Sequence, residues 1–508
     1  MTFTVLSANS IGTGVRFSHA AAGDDMHLLR GIVLASTDGD GISVVSSATD
    51  TNTRIDGTVS AALAGFRSAA VDTRLVVGLT GVINSNTSSS GAFGVIFNQT
   101  GADLINQGEI SAVEAIAVGL IGADSEVQNT GLITGVTGIQ SYFGSAGNRI
   151  FNFGTIMGSG SFDGVIDPFE GKGILVQSTG AYVYNSLSGV IGSTAPTGSG
   201  LMAETAAGGL RVVNHGEIAA LGVGIDLSGV YGGQALIRVA NRGTLSGETQ
   251  AYVGSINGDT LMNAGLILGD IAMGDGDDRF NTREGRFDGI FNAGAGNDTV
   301  SGNAARDEEF NGGGGIDALD FRGGPAVRVA LDGSFENSGA AAGDTYISFE
   351  NVMGTAAADR ITGSTAANRL AGGGGVDTIS GGNGADTLIG NRGADVMTGG
   401  LGNDVFLFNV LTDCGDKISD FTNLSGNNDI LHINAAAFGG GLVAGAVTIA
   451  MFVARADNLA QDADDRFIFR TTDKTVWFDA DGNGAAAAVM VADLQDTATF
   501  ARGDILLI

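Results

Sequence analysis

The chain has 508 residues, of which 85 are glycine and only 3 are proline, and 43 % are hydrophobic. This composition allows two or three domains with packed cores, and the abundance of glycine disfavours long helices. The net charge of −30 argues against binding to nucleic acid or to an anionic membrane surface.

Cysteine content and hydrophobic segments set further limits. The single cysteine, Cys414, excludes an intrachain disulfide, so an extracellular form would need another source of stability, such as bound metal. The N-terminal sequence lacks the basic head and apolar core of a secretory signal. No stretch reaches the roughly 18 apolar residues of a membrane span. We therefore expect no transmembrane segment, and any export signal should lie elsewhere in the chain.

Residues 1–50 contain short β-like runs between Asp/Gly turns, which predict a cap or first coil of the structure that follows. A looser repeat then extends to Leu268, with the core pattern apolar-x-Asn-x-Gly-x-Ile/Leu. Its key residues stand at even offsets, so on a strand they share one face and should point inward. In the variant that starts at Val77, Leu79 stands at the asparagine position, and the variant that starts at Val183 has two extra residues, with Leu187 ahead of the glycine. The repeats start at Thr53, Val77, Leu104, Val127, Ile150, Val183, Val212, Val239 and Leu261.

A repeat of this length cannot bury its apolar face alone and has to stack on its neighbours. The pattern predicts a domain over residues 1–268 that contains a right-handed parallel β-helix of about nine coils. The inward asparagines should form a ladder, in which each side chain hydrogen-bonds to the next coil. In period and pattern this part of the chain resembles β-helical passenger domains and haemagglutinin-like surface proteins.

Residues 269–353 are transitional, because recognisable nonapeptides are separated here by irregular charged stretches. Three nonapeptides place an aspartate at the sixth position and an apolar residue at the eighth. The three aspartates, which we predict to be metal ligands, are Asp278, Asp298 and Asp317.

Residues 354–407 consist of six nonapeptides without a gap. Glycine opens each one, and small residues fill the first four positions, as a tight turn requires. An apolar residue at the eighth position predicts a very short strand that faces a shared core. Two nonapeptides then form one coil, and those of equal parity stack 18 residues apart. One column holds Asp359, Asp377 and Asp395, and the other holds Asn368, Asp386 and Asp404.

Stacked carboxylates would repel one another unless a cation lay between them. Oxygen ligands from carboxylates and turn carbonyls, without thiolate or imidazole, favour calcium. The nonapeptides resemble the RTX (haemolysin-type) calcium-binding repeat, which implies a parallel β-roll with calcium between successive turns. The first two nonapeptides lack the inner glycines, so calcium is least expected there. The implied ligands are Asp278, Asp298, Asp317, Asp359, Asp377, Asp386, Asp395 and Asp404, with the turn glycines Gly375, Gly384, Gly393 and Gly402.

Residues 408–508 lack glycine turns and contain aromatic strands. They resemble the C-terminal β module of RTX proteins, which carries an uncleaved signal for type I secretion. The resemblance implies a type I exporter as a partner and an extracellular location. Within this segment, Asp479 to Gly484 matches the first half of an EF-hand loop, but the twelfth position is Met490. The sequence leaves both a hairpin turn and a calcium site open there.

Signs of catalysis are few. The chain has no H-E-x-x-H zinc motif and no G-x-S-x-G elbow. Cys414 is a poor candidate nucleophile, since Asp413 and Asp416 should raise the pKa of its thiol. We expect no catalytic residue.

One enzymatic alternative comes from the scaffold, because parallel β-helices often carry polysaccharide lyases and epimerases. The longest repeat interval contains an insertion at residues 159–173 with Asp163, Asp167, Glu170 and Lys172, which could neutralise a uronate through calcium or abstract a proton. The favoured function is instead a non-catalytic surface role, as an adhesin, surface-layer component or matrix protein. Its further partners would be a cell-surface glycan or a second copy of the chain.

Overall fold

The structure, a computed structural model, describes residues 2–86, 92–160, 171–204, 207–231, 236–302 and 308–508. The fold is all-β with long parallel sheets, as predicted, with 51 % of residues in strands and 3 % in helices. It divides into two compact units, Met1–Ala295 and Gly296–Ile508. Within the described ranges, no helix is long and apolar enough to cross a membrane.

The first unit is a parallel β-helix, whose described residues form twelve coils of three strands each. Each strand pairs in parallel with its counterpart in the next coil, which gives three sheets. The first sheet comprises Phe3–Leu6, Asp25–Leu28, Asn52–Ile55, Arg74–Val77, Asp103–Asn106, Glu126–Asn129, Arg149–Asn152, Tyr182–Asn185, Arg211–Asn214, Ile237–Asn241, Asp259–Asn263 and Arg279–Asn281.

The other two sheets follow the first around each coil. The second sheet comprises Ser10–Gly12, Val33–Ser36, Thr58–Ala61, Val82–Ser85, Glu109–Ala112, Leu132–Gly135, Thr155–Gly158, Val190–Ser193, Glu217–Ala220, Thr244–Gly247, Leu266–Leu268 and Arg286–Asp288. The third comprises Phe17–His19, Ile42–Val44, Ala64–Ser68, Phe93–Phe97, Ile116–Leu120, Thr137–Ser141, Lys172–Val176, Ser199–Glu204, Val223–Gly229, Gln250–Val253, Ile271–Asp275 and Ile290–Ala295.

The nine sequence repeats correspond to the third to eleventh coils. Residues before Asn52 form two further coils rather than a separate cap, and a twelfth coil follows Leu268. The sequence register is wrong at Leu79, which is 82 % exposed instead of facing the core at the asparagine position. Leu187, ahead of the glycine in the repeat with two extra residues, is 87 % exposed. In the fourth coil it is Leu75, not Val77, that pairs with Leu104. Two extra residues in these coils are therefore accommodated as outward turns, and the inward pattern resumes after them.

The predicted asparagine ladder is confirmed. The Nδ2 of each asparagine donates to the Oδ1 of the next at 2.8–2.9 Å. All seven members are buried, so the bonds satisfy amides that water cannot reach. The ladder runs through Asn106, Asn129, Asn152, Asn185, Asn214, Asn241 and Asn263.

The glycine that follows each asparagine is required by the close stacking of coils. A Cβ on Gly131 would lie 2.1 Å from the carbonyl oxygen of Gly108, and a Cβ on Gly243 would lie 2.0 Å from that of Gly216. Any side chain would push the coils apart at this corner. The Asn-x-Gly spacing thus sets both the ladder and the coil-to-coil contact.

The second unit contains two main sheets that carry the nonapeptides in alternation. Roll sheet 1 comprises Thr299–Ser301, Ala318–Asp320, Asn351–Met353, Arg369–Gly374, Thr387–Arg392, Val405–Phe408, Ile430–Ile433, Ile505–Leu507 and Gly445–Ala446. Roll sheet 2 comprises Ser338–Gly339, Val327–Ala330, Arg360–Thr362, Thr378–Asn383, Val396–Leu401, Asp416–Ile418, Val489–Leu494, Thr475–Phe478, Phe467–Arg470 and Phe452–Arg455.

Smaller elements complete the second unit. They are the paired strands Glu309–Gly314 and Thr345–Ile347, the hairpin strands Asn423–Leu424 and Asn427–Asn428, one α-helix at Ala435–Phe438, and 3-10 turns at Leu411–Asp413, Ile449–Met451 and Arg502–Asp504. The six eighth-position side chains of the array are all fully buried, as predicted: Ile361, Leu370, Ile379, Leu388, Met397 and Phe406. Strands from residues 408–508 extend both roll sheets: Asp416–Ile418 pairs with Val396–Leu401, and Ile430–Ile433 pairs with Val405–Phe408.

Candidate metal centre

The loops of the array owe their shape to glycine at defined positions. Gly373, Gly375, Gly382, Gly384, Gly400 and Gly402 have φ between 101° and 142°, a region that side chains disfavour. The opening glycine has a different role, because the aspartate of the same loop folds back over it. A Cβ on Gly372 would lie 2.2 Å from Oδ2 of Asp377. The first position therefore has to be glycine for the carboxylate to lie inside the loop.

The two predicted columns exist, and backbone amides connect their members. In one, the amide of Asp359 donates to Oδ1 of Asp377 at 2.8 Å, and the amide of Asp377 donates to Oδ1 of Asp395 at 2.7 Å. In the other, Asn368 donates to Asp386 at 2.7 Å, and Asp386 donates to Asp404 at 2.8 Å. Each carboxylate thus uses one oxygen to hold the loop before it.

The second oxygen of these carboxylates is left over. All of the side chains concerned are buried, and their Oδ2 atoms accept no hydrogen bond within the described structure. A buried carboxylate oxygen without a donor is costly unless a proton or a cation neutralises it. The residues with such an atom are Asp317, Asp377, Asp386, Asp395, Asp404 and Asp416.

The pKa values of these aspartates reflect the same shortage of donors around buried carboxylates. Burial, with neighbouring carboxylates adding to it, raises the pKa of Asp377 to about 7 and that of Asp386 to about 6. Burial likewise raises the pKa values of Asp395 and Asp404. Repulsion from stacked charges and loss of water therefore both favour binding of a positive ion.

The donor set fits calcium. In the described ranges no three His, Cys, Asp or Glu side chains gather closely enough to hold a metal by themselves, so loop carbonyls have to supply the remaining ligands. Calcium accepts such mixed oxygen shells of carboxylates and carbonyls. The predicted turn positions lie in these loops, and only glycine allows their approach: a Cβ on Gly393 would lie 1.8 Å from the carbonyl oxygen of Gly375, and one on Gly402 would lie 1.6 Å from that of Gly384.

The first two nonapeptides are built differently. Residues 354–357 and 363–366, all of which the structure describes, contain no residue at positive φ. Thr355 donates its amide to Oδ2 of Asp359 at 2.5 Å and its hydroxyl to Oδ1 at 3.0 Å. Ser364 donates its amide to Oδ1 of Asn368 at 2.7 Å. In these two loops, hydrogen bonds from the loop itself satisfy side-chain oxygens of Asp359 and Asn368, whereas further along the columns a cation would be needed.

The transitional nonapeptides have the same loop conformation as the regular ones. Gly274 and Gly276 precede Asp278 with φ of 105° and 102°, and Gly313 and Gly315 precede Asp317 with φ of 94° and 138°. In the first unit, the amide of Asp259 donates to Oδ1 of Asp278 at 2.6 Å.

In the second unit, the amide of Asp298 donates to Oδ1 of Asp317 at 2.8 Å. The amide of Asp317 then donates to Oε2 of Glu350 at 2.8 Å, so a glutamate continues this column across an interval of 33 residues. Sequence reasoning missed Glu350 because neither its residue type nor its spacing matches the repeat.

Two further aspartates continue the columns beyond the nonapeptides. The amide of Asp395 donates to Oδ1 of Asp416 at 2.9 Å, and the amide of Asp404 donates to Oδ1 of Asp429 at 3.1 Å. Their offsets of 21 and 25 residues conceal them from a search for an 18-residue period. The Asp-x-apolar pattern, which ends in Ile418 or Leu431, is the signal that could have found them.

The EF-hand-like stretch is a hairpin connection. It joins the antiparallel strands Thr475–Phe478 and Val489–Leu494, in which Phe478 is opposite Val489. Asp481 accepts a hydrogen bond from the amide of Ala486 at 3.1 Å, so the loop supplies its own donor. The hairpin interpretation is confirmed.

The candidates for catalysis find little support. Asp163, Asp167 and Glu170 lie outside the described residues. Lys172 lies in the core of the first unit, where its Nζ donates to the carbonyl oxygen of Thr197 at 3.4 Å and desolvation lowers its pKa. Burial, followed by the charges of Asp416 and Asp413, raises the pKa of Cys414 to about 12, so its thiol is a poor nucleophile, as predicted.

Comparison with known families agrees with this geometry. The family model of the RTX calcium-binding nonapeptide repeat, which comprises four copies, matches residues 353–388 and 372–406. No curated protein matches the chain. Residues 353–406 are thus RTX repeats, and calcium is their cofactor. The transitional nonapeptides and the aspartates at 416 and 429 lie outside the matched residues.

Proposed function

We propose that the protein is an extracellular calcium-binding protein whose β-roll folds when calcium enters its loops. The observation that carries the proposal is the row of buried Oδ2 atoms without donors along both columns. The strongest ligands would be Asp377, Asp386, Asp395 and Asp404, with carbonyls of the loops that contain Gly375, Gly384, Gly393 and Gly402. Asp278, Asp298, Asp317 and Asp359 complete the proposed set.

The energy available from calcium is large enough to decide whether the roll folds. A site at tenfold excess of free calcium over its Kd contributes about 1.4 kcal/mol. Five such sites would contribute about 7 kcal/mol, comparable to the whole stability of a domain, about 5–15 kcal/mol. In a low-calcium cytoplasm the columns would repel and the roll would stay loose, which suits passage through a type I exporter.

Hydrogen exchange with and without calcium tests the folding proposal. We expect amides of residues 372–406 to be protected in millimolar calcium and to exchange freely in chelator. Amides of the asparagine ladder region should be protected in both conditions and serve as an internal control. Protection of residues 372–406 that is indifferent to calcium would contradict the proposal.

Export is tested separately. Co-expression with a type I exporter should release the full chain into the medium, and removal of residues 408–508 should retain it in the cell. Equal release of both forms would place the export signal elsewhere.

The proposed surface role rests on one part of the first sheet, which we call the aromatic–arginine surface. It is defined by Arg149, Phe151, Tyr182, Tyr184, Arg211 and Arg238. The ring centroids of Phe151 and Tyr182 are 5.8 Å apart, and the guanidinium of Arg211 lies 5.7 Å above the ring of Tyr182. Arg211 and Arg238 are exposed.

The charge of this surface differs from that of the whole chain. The strands Arg149–Asn152, Tyr182–Asn185, Arg211–Asn214 and Ile237–Asn241 contain no acidic residue, although the net charge is −30. Aromatic rings pack against the apolar faces of sugar rings, and guanidinium groups pair with carboxylates. The surface therefore favours contact with an acidic glycan, which supports an adhesive or matrix role.

Binding to polygalacturonate and alginate, measured by titration calorimetry, tests this role. Arg211→Gln combined with Arg238→Gln should weaken binding at least tenfold, whereas Arg74→Gln, on the same sheet outside the surface, should not. Equal affinity of all three proteins would contradict the role. Release of unsaturated uronates, read by ultraviolet absorbance, would instead favour the lyase alternative, and exchange of the C5 proton would favour an epimerase.

A further inference from the structure

One column of the roll ends in a segment that the RTX family model does not cover. The strand Asp416–Ile418 pairs in parallel with Val396–Leu401, with Val396 opposite Lys417. On its other side it pairs with Val489–Leu494, with Asp416 opposite Ala492. Asp416 therefore stands where the sixth-position aspartate of another nonapeptide would stand, but in a loop that lacks the repeat sequence.

The carboxylates of Asp395 and Asp416 converge on one point. Oδ1 of Asp416 accepts the amide of Asp395 at 2.9 Å. The Oδ2 atoms of both residues are buried and accept no hydrogen bond from any described residue. A Cβ on Gly390 would lie 2.4 Å from Oδ2 of Asp395 and 2.8 Å from Oδ2 of Asp416, so both oxygens occupy the space above this glycine.

The surroundings of this pair are rich in oxygen and negative charge. Asp413 is also buried, and it accepts the amides of Asn409 and Val410 at 3.2 and 3.1 Å. Lys417, on the same strand as Asp416, is exposed. Two unpartnered carboxylate oxygens that meet in a buried space are stabilised by a shared proton or cation, and oxygen ligands of this kind suit calcium.

The other column ends without such a need. Oδ1 of Asp429 accepts the amide of Asp404 at 3.1 Å, and Oδ2 accepts the amide of Thr422 at 2.8 Å. Asp420 in addition accepts the amides of Gly399 and Gly400 at 2.9 and 2.7 Å. Backbone donors thus satisfy both oxygens of Asp429, whereas Oδ2 of Asp416 has no donor in the described structure.

We propose that Asp395 and Asp416 bind a calcium ion outside the recognised repeats, and that this ion fastens the segment after the repeats to the β-roll. The proposal rests on the proposed calcium function and adds a site to it. Because the strand of Asp416 lies between Val396–Leu401 and Val489–Leu494, calcium there would order the C-terminal strands together with the roll.

Calcium content of the full chain tests the site. After gel filtration in calcium, elemental analysis should find one calcium fewer per chain in Asp416→Asn than in the unmodified protein. Asp429→Asn is the matched control and should retain the full number, because its carboxylate is already satisfied by amides. Equal calcium content in Asp416→Asn and the unmodified protein would overturn the site. No calcium in the unmodified protein would instead overturn the proposed function.

A second measurement does not depend on a variant that folds. Cys414 is the single cysteine and lies two residues before Asp416, so its reaction with a maleimide reports on this loop. Calcium should slow labelling of the unmodified protein at least tenfold relative to chelator. Equal rates in the two conditions would overturn the proposal. In Asp416→Asn, calcium should slow labelling much less.

Discussion

The β-helix and the β-roll both bury stacked polar side chains, and these side chains differ only in that one ends in an amide and the other in a carboxylate. Both stack a polar residue at one corner of successive coils, asparagine from Asn106 to Asn263 in the first unit and mainly aspartate in the second. An amide donates and accepts, so each rung of the asparagine ladder satisfies the next. A carboxylate only accepts, and Asp377, Asp386, Asp395 and Asp404 each keep one buried oxygen without a donor in the described structure. In the ladder, every asparagine after Asn106 has a donor for its Oδ1, whereas the aspartate columns require a cation.

Removal of calcium should reveal the difference in stability between the two units most clearly. By calorimetry, chelator should lower the unfolding temperature of the roll by roughly 15–25 °C, the equivalent of about 7 kcal/mol for a unit of this size. The transition of the β-helix should not move. A common shift of both transitions would contradict the difference between the columns.

Asn185→Asp should convert a rung of the self-sufficient ladder into one that lacks a donor. We expect a loss of about 3–5 kcal/mol at neutral pH, because the new charge is buried and unpaired. Gln107→Glu, an exposed change next to the ladder, is the control and should be nearly neutral. Denaturant unfolding measures both. Calcium should not rescue Asn185→Asp, since the corner of the β-helix lacks the positive-φ loop.

Asp377→Asn tests the reverse conversion. In calcium the variant should lose the contribution of a site, about 1.4 kcal/mol at tenfold excess over Kd. In chelator it should be at least as stable as the unmodified protein, because a charge without a donor has been removed. Asp359→Asn, by contrast, should destabilise the roll in chelator as well as in calcium, since the carboxylate of Asp359 accepts hydrogen bonds from Thr355.

Acidification should stabilise the roll in the absence of calcium, because protons neutralise the same carboxylates. The pKa values of Asp377 and Asp386 are raised to about 7 and about 6, so the folded roll binds protons more tightly than the unfolded chain does. Stability in chelator should be highest below about pH 4 and should fall as the pH rises from about 4 to about 7, by at most about 1.4 kcal/mol per pH unit for each group. Urea midpoints measured across this range check the sign. A rise of stability with pH in chelator would contradict it.

Sequence period was sufficient for the fold class, the ladder and the two aspartate columns, because stacked coils repeat their corner residues. The sequence period could not place residues correctly wherever a loop between two stacked corner residues changed length. Leu79 was placed inward for that reason, although its turn projects outward. Glu350, Asp416 and Asp429 were missed for the same reason, since stacking in space tolerates intervals of 33, 21 and 25 residues. The secretion module and the domain boundary at residue 268 stay predictions.

The asparagine ladder has a consequence for how such proteins vary in size. Every rung presents the same acceptor on one side and the same donor on the other, so neighbouring rungs are interchangeable. Excision of residues 126–148, one whole turn of the solenoid, would bring Asn106 against Asn152 and close the row again. Length can thus be gained or lost in complete modules, without any compensating change elsewhere. Duplication and deletion within the gene therefore offer a simple route to longer or shorter rods.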